Sequence, residues 1–466
     1  MTSIPDACHW ERECIANSVA SILIGSLRGS VPKELIINSA FRDLASCNDT
    51  QCLLITHDYS VIKDLDYDSI RDGVTKALKV LSLDEIPRLA QIMMELDLGQ
   101  AVKALDENIS INIRGELGAR INETIGIALY SVGDYEGAIT RLNAAAAIYE
   151  GLGDRARARF IEAMSKVARA EDLRARAVRL HEEGRHDDEK ALVEEASRLY
   201  VSSAINFREA VGIDEAKANE VLSMMDSTEI LANYYFIHGD VSRAMQYYET
   251  CMNTLGNKGL GGEGYWGVVK LKGDLCEAFY LLCRAIEGGD WRDYEKAGDK
   301  FLDLIGRGLV DELTIEGAVM SFRGALDGVE EVEDAVRIYS KYVKAVNRYF
   351  DNLIRERYGG FEEFIKEFRG GDHEKIAHSL NTDVNTLKLY IAGRALMDIA
   401  REEGLTEDAA LEILAYLAGL GLNPMDMGVD DMLNELRGFV IDEDFLNEVR
   451  GLLIKLKSRL DSLMGN

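Results

Sequence analysis

Proline is missing from the whole stretch between Pro87 and Pro424, and only Pro5 and Pro32 precede it. Turns and strand edges normally use proline, whereas a helix interior excludes it because the ring removes an amide donor and clashes with the preceding turn. A proline-free stretch this long, rich in Ala, Leu, Glu and Arg, reads as helices following one another through short glycine-containing turns. The expected fold class is all-α.

At 466 residues the chain exceeds what one hydrophobic core usually serves, so two to four units are expected. Its longest apolar run, Ile15 to Leu27, is too short to span a bilayer. It follows Glu11, Arg12 and Glu13 rather than a basic leader, which argues against a secretory signal. Seven scattered cysteines, an odd number with no evident framework, point to reduced thiols and a cytoplasmic address. A formal net charge of −28 repels nucleic acid and anionic membranes at long range and favours basic partners.

The best-patterned segment runs from Asn122 to Asp154, with apolar residues at three- and four-residue steps on both sides of Gly133-Asp134. That pattern predicts two amphipathic helices and a tight turn. Small residues (Gly126, Ala138, Ala145) stand where the helices must approach closely, with Tyr130 and Tyr135 beside them. The segment resembles a tetratricopeptide repeat, on Gly126, Gly133-Asp134-Tyr135, Ala138, Leu142 and Ala145. A second match spans Leu231 to Gly256, on Ala232, Gly239-Asp240, Ala244, Tyr248 and Cys251; the two Gly-Asp pairs lie 106 residues apart, close to three repeat periods.

A weaker copy surrounds Gly184, and two more follow at Cys276–Ile305 and Gly317–Val346. The run Tyr294 to Asp299 is also similar to the divergent repeats of the soluble NSF attachment proteins. The resemblance implies a tetratricopeptide-like α-solenoid whose curved surface binds extended segments. The expected division is a helical N-terminal domain (residues 1–118), repeats (119–256), their continuation after a glycine-rich loop (257–369) and a helical C-terminal domain (370–466). In the first of these, Leu83 to Leu105 is helical, and Cys52 to Ile62 alternates enough to allow a short strand, although helix and loop are favoured.

The glycine-rich loop, Asn257 to Gly267, carries G-x-G-x-x-G at Gly259, Gly261 and Gly264. A dinucleotide site also needs a strand before the glycines. Here an apolar helix precedes them and another helix follows, so a loop between helices is expected, with Tyr265-Trp266 as its anchor and a ligand contact as a further role.

In the C-terminal part, Lys375 to Ala400 looks like a helix-turn-helix, with Ile376-Ala377, Leu380, Val384, Leu387 and Ile391 packing the pair. Asn385, Thr386 and Lys388 would be its DNA-facing residues. Residues 371–400 carry three bases against four acids, a poor grip on phosphate, so a structural pair is preferred. The opposite balance holds from Arg155 to Arg185, with nine bases and five acids. Intramolecular pairing is the plain reading; a socket for an acidic peptide, phosphate or RNA is the functional one.

Histidines and cysteines spaced by five (Cys47/Cys52/His57, His181/His186, His373/His378) point apart on a continuous helix, so no metal site is expected. No conventional catalytic set occurs and no cofactor is implied. The expectation is therefore a non-catalytic, cytoplasmic scaffold that binds a protein or peptide, with Arg155, Arg159, Arg169, Asn233 and Tyr234 as contacts. The partner is acidic at the Arg155–Arg185 patch or basic elsewhere. The alternative is a transcriptional regulator with a repeat-based sensor.

Overall fold

A computed structural model describes residues 3–41, 45–54, 62–254, 264–309, 311–380, 382–404, 406–420, 422–437 and 443–464. The fold is all-α, with about 80% of the described residues in helices. Two compact units form, residues 1–234 with 259–269, and residues 235–258 with 270–466.

The first unit begins with α1 (Ile4–Ala7), α2 (Arg12–Arg28) and α3 (Lys33–Ile37) and continues through α4 (Tyr67–Leu78), α5 (Ile86–Glu95) and α6 (Gly99–Asn108). Antiparallel strands β1 (Val31–Pro32), β2 (Ala45–Cys47) and β3 (Gln51–Leu54) lie between α2 and α4, with β3 central. The strand at Gln51–Leu54 departs from the favoured helix and loop. Asn48 caps the turn by accepting from the Thr50 and Gln51 amides at 2.9 and 2.8 Å, and Cys47 stands opposite Cys52. Residues 55–61 of that segment, His57 among them, lie outside the described residues.

The cysteines also differ from expectation. Cys8–Cys14, Cys47–Cys52 and Cys251–Cys276 are disulfide-bonded, and buried Cys283 is the free thiol.

Arg28 at the end of α2 grips Glu85 through two bonds, Nε to Oε1 at 2.7 Å and Nη2 to Oε2 at 2.6 Å. Glu85 also accepts from the Ser82 amide. The Arg28 guanidinium, with that amide, holds the Glu85 carboxyl down at about 2. A depressed carboxyl stabilises the fold above its unfolded value and loses that contribution as pH falls towards the folded one. Acid unfolding of wild type therefore steepens between about pH 4.5 and pH 2 relative to Glu85→Gln. Superimposable acid titrations of the two proteins would contradict this.

From α7 (Gly115–Ser131) the hairpins are regular: α8 (Tyr135–Leu152), α9 (Arg155–Glu182), α10 (His186–Glu209) and α11 (Ala216–Ile237), whose last three residues belong to the second unit. Helices α7 to α10 pack in chain order. At the α7–α8 turn Gly133 adopts φ +76°, its amide donates to Tyr130 O and the Asp134 amide donates to Leu129 O. This is the paired bonding of a Schellman cap. Asp134 then caps α8 through the Gly137 amide, and Asp154 caps α9 through the Arg157 amide.

Gly126 has a steric role, because a Cβ there would stand 2.9 Å from Leu142 Cγ. Ala138, Leu142 and Ala145 are fully buried on the facing side of α8. One hydrophobic core runs from Ile4 to Ala216, across residue 118 without a break.

Arg141 lies on that same buried face and is 4% exposed. Its guanidinium donates to Asp106 Oδ1 (2.5 Å), Asn122 Oδ1 (2.9 Å), Asp106 O (2.7 Å) and Ile109 O (2.5 Å). It ties α8 to α7 and to the end of α6.

The second unit comprises α12 (Val241–Thr254), α13 (Tyr265–Gly288, from Lys270 onward), α14 (Trp291–Gly306), α15 (Glu312–Gly328) and α16 (Val332–Tyr358), then α17 (Phe361–Gly370), α18 (His373–Ser379), α19 (Val384–Glu403), α20 (Glu407–Gly419), α21 (Val429–Arg437) and α22 (Glu443–Met464). Tyr248 stacks on Phe279 with centroids 5.1 Å apart, and Phe279 meets Phe301 edge to face at 4.8 Å. Helices α14 and α15 approach through reciprocal pairs. A Cβ on Gly298 would lie 2.5 Å from Phe322, and one on Gly317 would lie 2.5 Å from Phe301. Each ring fills the space that the opposite glycine leaves.

Candidate binding surface

Five of the site residues expected from sequence lie on α9 and α11. Arg155, Arg159 and Arg169 are exposed on α9. Arg159 pairs with Glu162 at 2.7 Å and stands 3.6 Å from Glu209, while Arg169 stands 3.7 Å from Glu195. Further along, Arg176 faces Asp172, and Arg185 pairs with Asp188 and Glu183. Much of the basic surplus of residues 155–185 is thus met by the chain's own carboxylates. Such exposed pairs contribute little to stability. Asn233 and Tyr234 on α11 are half-buried, and Tyr234 packs against the apolar cluster that includes Val193, Tyr200 and Ile230.

A different group comes together from helices α7 to α11. Tyr130 at the end of α7 and Tyr135 at the start of α8 sit with ring centroids 5.8 Å apart. Both rings are half-buried, as are Glu171 and Arg174 on α9 and Asp226 on α11. The Tyr200 hydroxyl, from α10, donates to Glu171 Oε1. Burial opposes the charge of Arg174, yet Glu229 and Glu171 outweigh it and hold the guanidinium above its usual value. Burial, then Glu171 and Asp226, raise the Tyr130 phenol. Burial and Glu171 likewise raise Tyr135.

Three carboxylates (Glu171, Asp226, Glu229) and one guanidinium therefore share a patch bordered by two tyrosine rings. Its excess charge is negative. Aromatic faces beside carboxylates suit a Lys or Arg side chain, which gains from both. Sequence reasoning named the two tyrosines as packing bulk but missed the acids, because Glu171 and Asp226 are 55 residues apart.

The helix-turn-helix-like segment forms as two helices, α18 and α19, with Ile376, Ala377, Leu380, Leu387 and Ile391 buried. Of its candidate DNA contacts, Asn385 is exposed and Thr386 is 9% exposed. Thr386 donates its hydroxyl to Asp383, whose side chain also caps the helix at the Thr386 amide. Lys388 pairs with Asp426 at 2.6 Å. Asn385 and Thr386 line a cleft of about 530 Å³ with Arg323, Asp327, Tyr342 and Asp426. The N-terminal turn of α19 faces this cleft.

Residues 255–263, which hold most of the glycine-rich loop, lie outside the described residues. Helix α12 ends at Thr254 and α13 begins at Tyr265, so the described flanks are helical on both sides. Tyr265, offered as an anchor, is 58% exposed. His373 and His378 share the continuous helix α18. His181 and His186 do not share a helix: α9 ends at Glu182, Gly184 takes φ +72°, and α10 starts at His186. Five-residue spacing points side chains apart only on an unbroken helix, and this turn breaks the helix between the two histidines.

No helix among the described residues is long and apolar enough to cross a membrane. No protein-family model matches the chain, and no curated protein matches it in sequence.

Proposed function

We propose that the chain is a non-catalytic, tetratricopeptide-like solenoid scaffold that binds a basic segment of a protein partner on the patch bordered by Tyr130 and Tyr135. The observation that carries this reading is the meeting of Tyr130, Tyr135, Glu171, Arg174 and Asp226, from four helices, on a half-buried acidic surface. Ionisable groups collected beside aromatic rings are costly to a fold unless they are paired or serve recognition. The net charge of −28 adds long-range attraction for the same kind of partner.

Against the acidic-partner version, Arg159 and Arg169 already face carboxylates of the chain. The regulator alternative has its helix pair, but Lys388 is engaged with Asp426 and Thr386 is buried, which leaves little for a phosphate backbone.

Fluorescence anisotropy with charge-matched Lys/Arg-rich and Asp/Glu-rich peptides tests the proposal. The basic set binds, more weakly as salt rises, and Glu171→Gln with Asp226→Asn weakens it by at least about tenfold, the scale of charge-assisted contacts. Equal binding of both sets, or an unaffected double variant, would discard it.

A further inference from the structure

The geometry points to a divalent transition-metal site, of the kind that takes zinc, at the α9–α10 turn. Its ligands are His181, His186 and Glu189. One Glu189 oxygen, Oε2, lies 3.2 Å from His181 Nδ1 and 3.2 Å from His186 Nδ1. One potential ligand atom from each of the three residues falls within 4.8 Å of the others. In a tetrahedral site with metal–ligand bonds of about 2.0–2.1 Å, ligand atoms stand roughly 3.3–3.4 Å apart. Both nitrogen–oxygen edges, at 3.2 Å, come within about 0.2 Å of that length. The ring centroids are 5.5 Å apart, and exposed His186 has room to rotate towards the shared centre.

Two further features favour a cation here. The turn is fixed: the Gly184 amide donates to His181 O at 2.9 Å and the Arg185 amide to Leu180 O at 2.9 Å, a Schellman cap that holds the end of α9 against the start of α10. The ligands thus come from both sides of a rigid corner, at the last turn of one helix and the first of the next. Glu189 is also only 4% exposed. A buried carboxylate needs compensation, and a divalent ion between it and two imidazoles supplies more than neutral hydrogen bonds do. A His2Glu set leaves the fourth position of a tetrahedron open to water or to another donor.

The test uses the full chain, disulfides intact and any affinity tag removed, titrated calorimetrically with Zn2+ alone. One equivalent binds, and His181→Ala with His186→Ala weakens it by more than about 100-fold, as expected when two of three ligands are lost. His186→Ala alone also weakens binding while leaving the circular dichroism spectrum unchanged, since that side chain is exposed. Co2+ gives the intense visible bands of a four-coordinate ion, without a thiolate charge-transfer band. A thiolate band, the pale spectrum of the hydrated ion, or equal Zn2+ affinity in wild type and the double variant would each overturn the assignment.

Discussion

Replacing Arg141 with alanine lowers the stability of the first unit by about 3–5 kcal/mol, the range for removing one partner of a buried charge network. Arg141 is 4% exposed and supplies four hydrogen bonds. Without it the Asn122 carbonyl and the main-chain oxygens of Asp106 and Ile109 are left beside a cavity with no donor, and Asp106 loses its counter-charge. Arg141→Lys keeps the charge but cannot reach four acceptors from one nitrogen, so its loss is intermediate. Native-state hydrogen exchange of the α7 and α8 amides reads the effect locally. A change below about 1 kcal/mol for the alanine variant, the level of an ordinary surface substitution, would refute the network's role.

Removing the Cys251–Cys276 bond costs about 3 kcal/mol. The two cysteines are 25 residues apart, and opening a loop of that size returns roughly this much entropy to the unfolded chain. The expected readout is a lower melting temperature and faster exchange in α12 and α13, both for Cys251→Ser with Cys276→Ser and for wild type under reductant. The same protein, unfolded without reductant, should take up a single alkyl group, at Cys283. Burial pushes that thiol up to about 12, so it stays unreactive while folded. Seven labels, or a double variant as stable as wild type, would contradict this account.

Arg141 and the Cys251–Cys276 pair mark where sequence reading stopped. The helical class was legible, since the absence of proline and the Gly-Asp turns at Gly133 and Gly239 report backbone requirements that are local. Gly126, Ala138, Leu142 and Ala145 were legible for the same reason, as a helical stripe of small and apolar residues. Arg141 falls on that stripe, three residues after Ala138 and four before Ala145, so a signal for its burial was present. Its partners in α6 and α7 were not, because nothing local links them to it.

The cysteine framework was hidden because its separations of 6, 5 and 25 residues follow no recurrent pattern. The cytoplasmic address argued from reduced thiols loses that premise. Disulfides persist in oxidising compartments and also inside some hyperthermophiles. The same limit applies to the proposed binding patch. Tyr130 and Tyr135 straddle a visible turn, whereas Glu171 and Asp226 meet them only through the packing of α7 to α11.

That patch is the centre of the functional account, and zero-length carbodiimide cross-linking tests it most directly. A lysine-rich peptide is coupled to the folded chain, and the acceptor carboxylates are located by mass spectrometry. The account predicts amide bonds concentrated at Glu171 and Asp226, suppressed by an excess of unlabelled peptide. Cross-links scattered over the other acidic residues in proportion to their exposure, with those two unmodified, would contradict it.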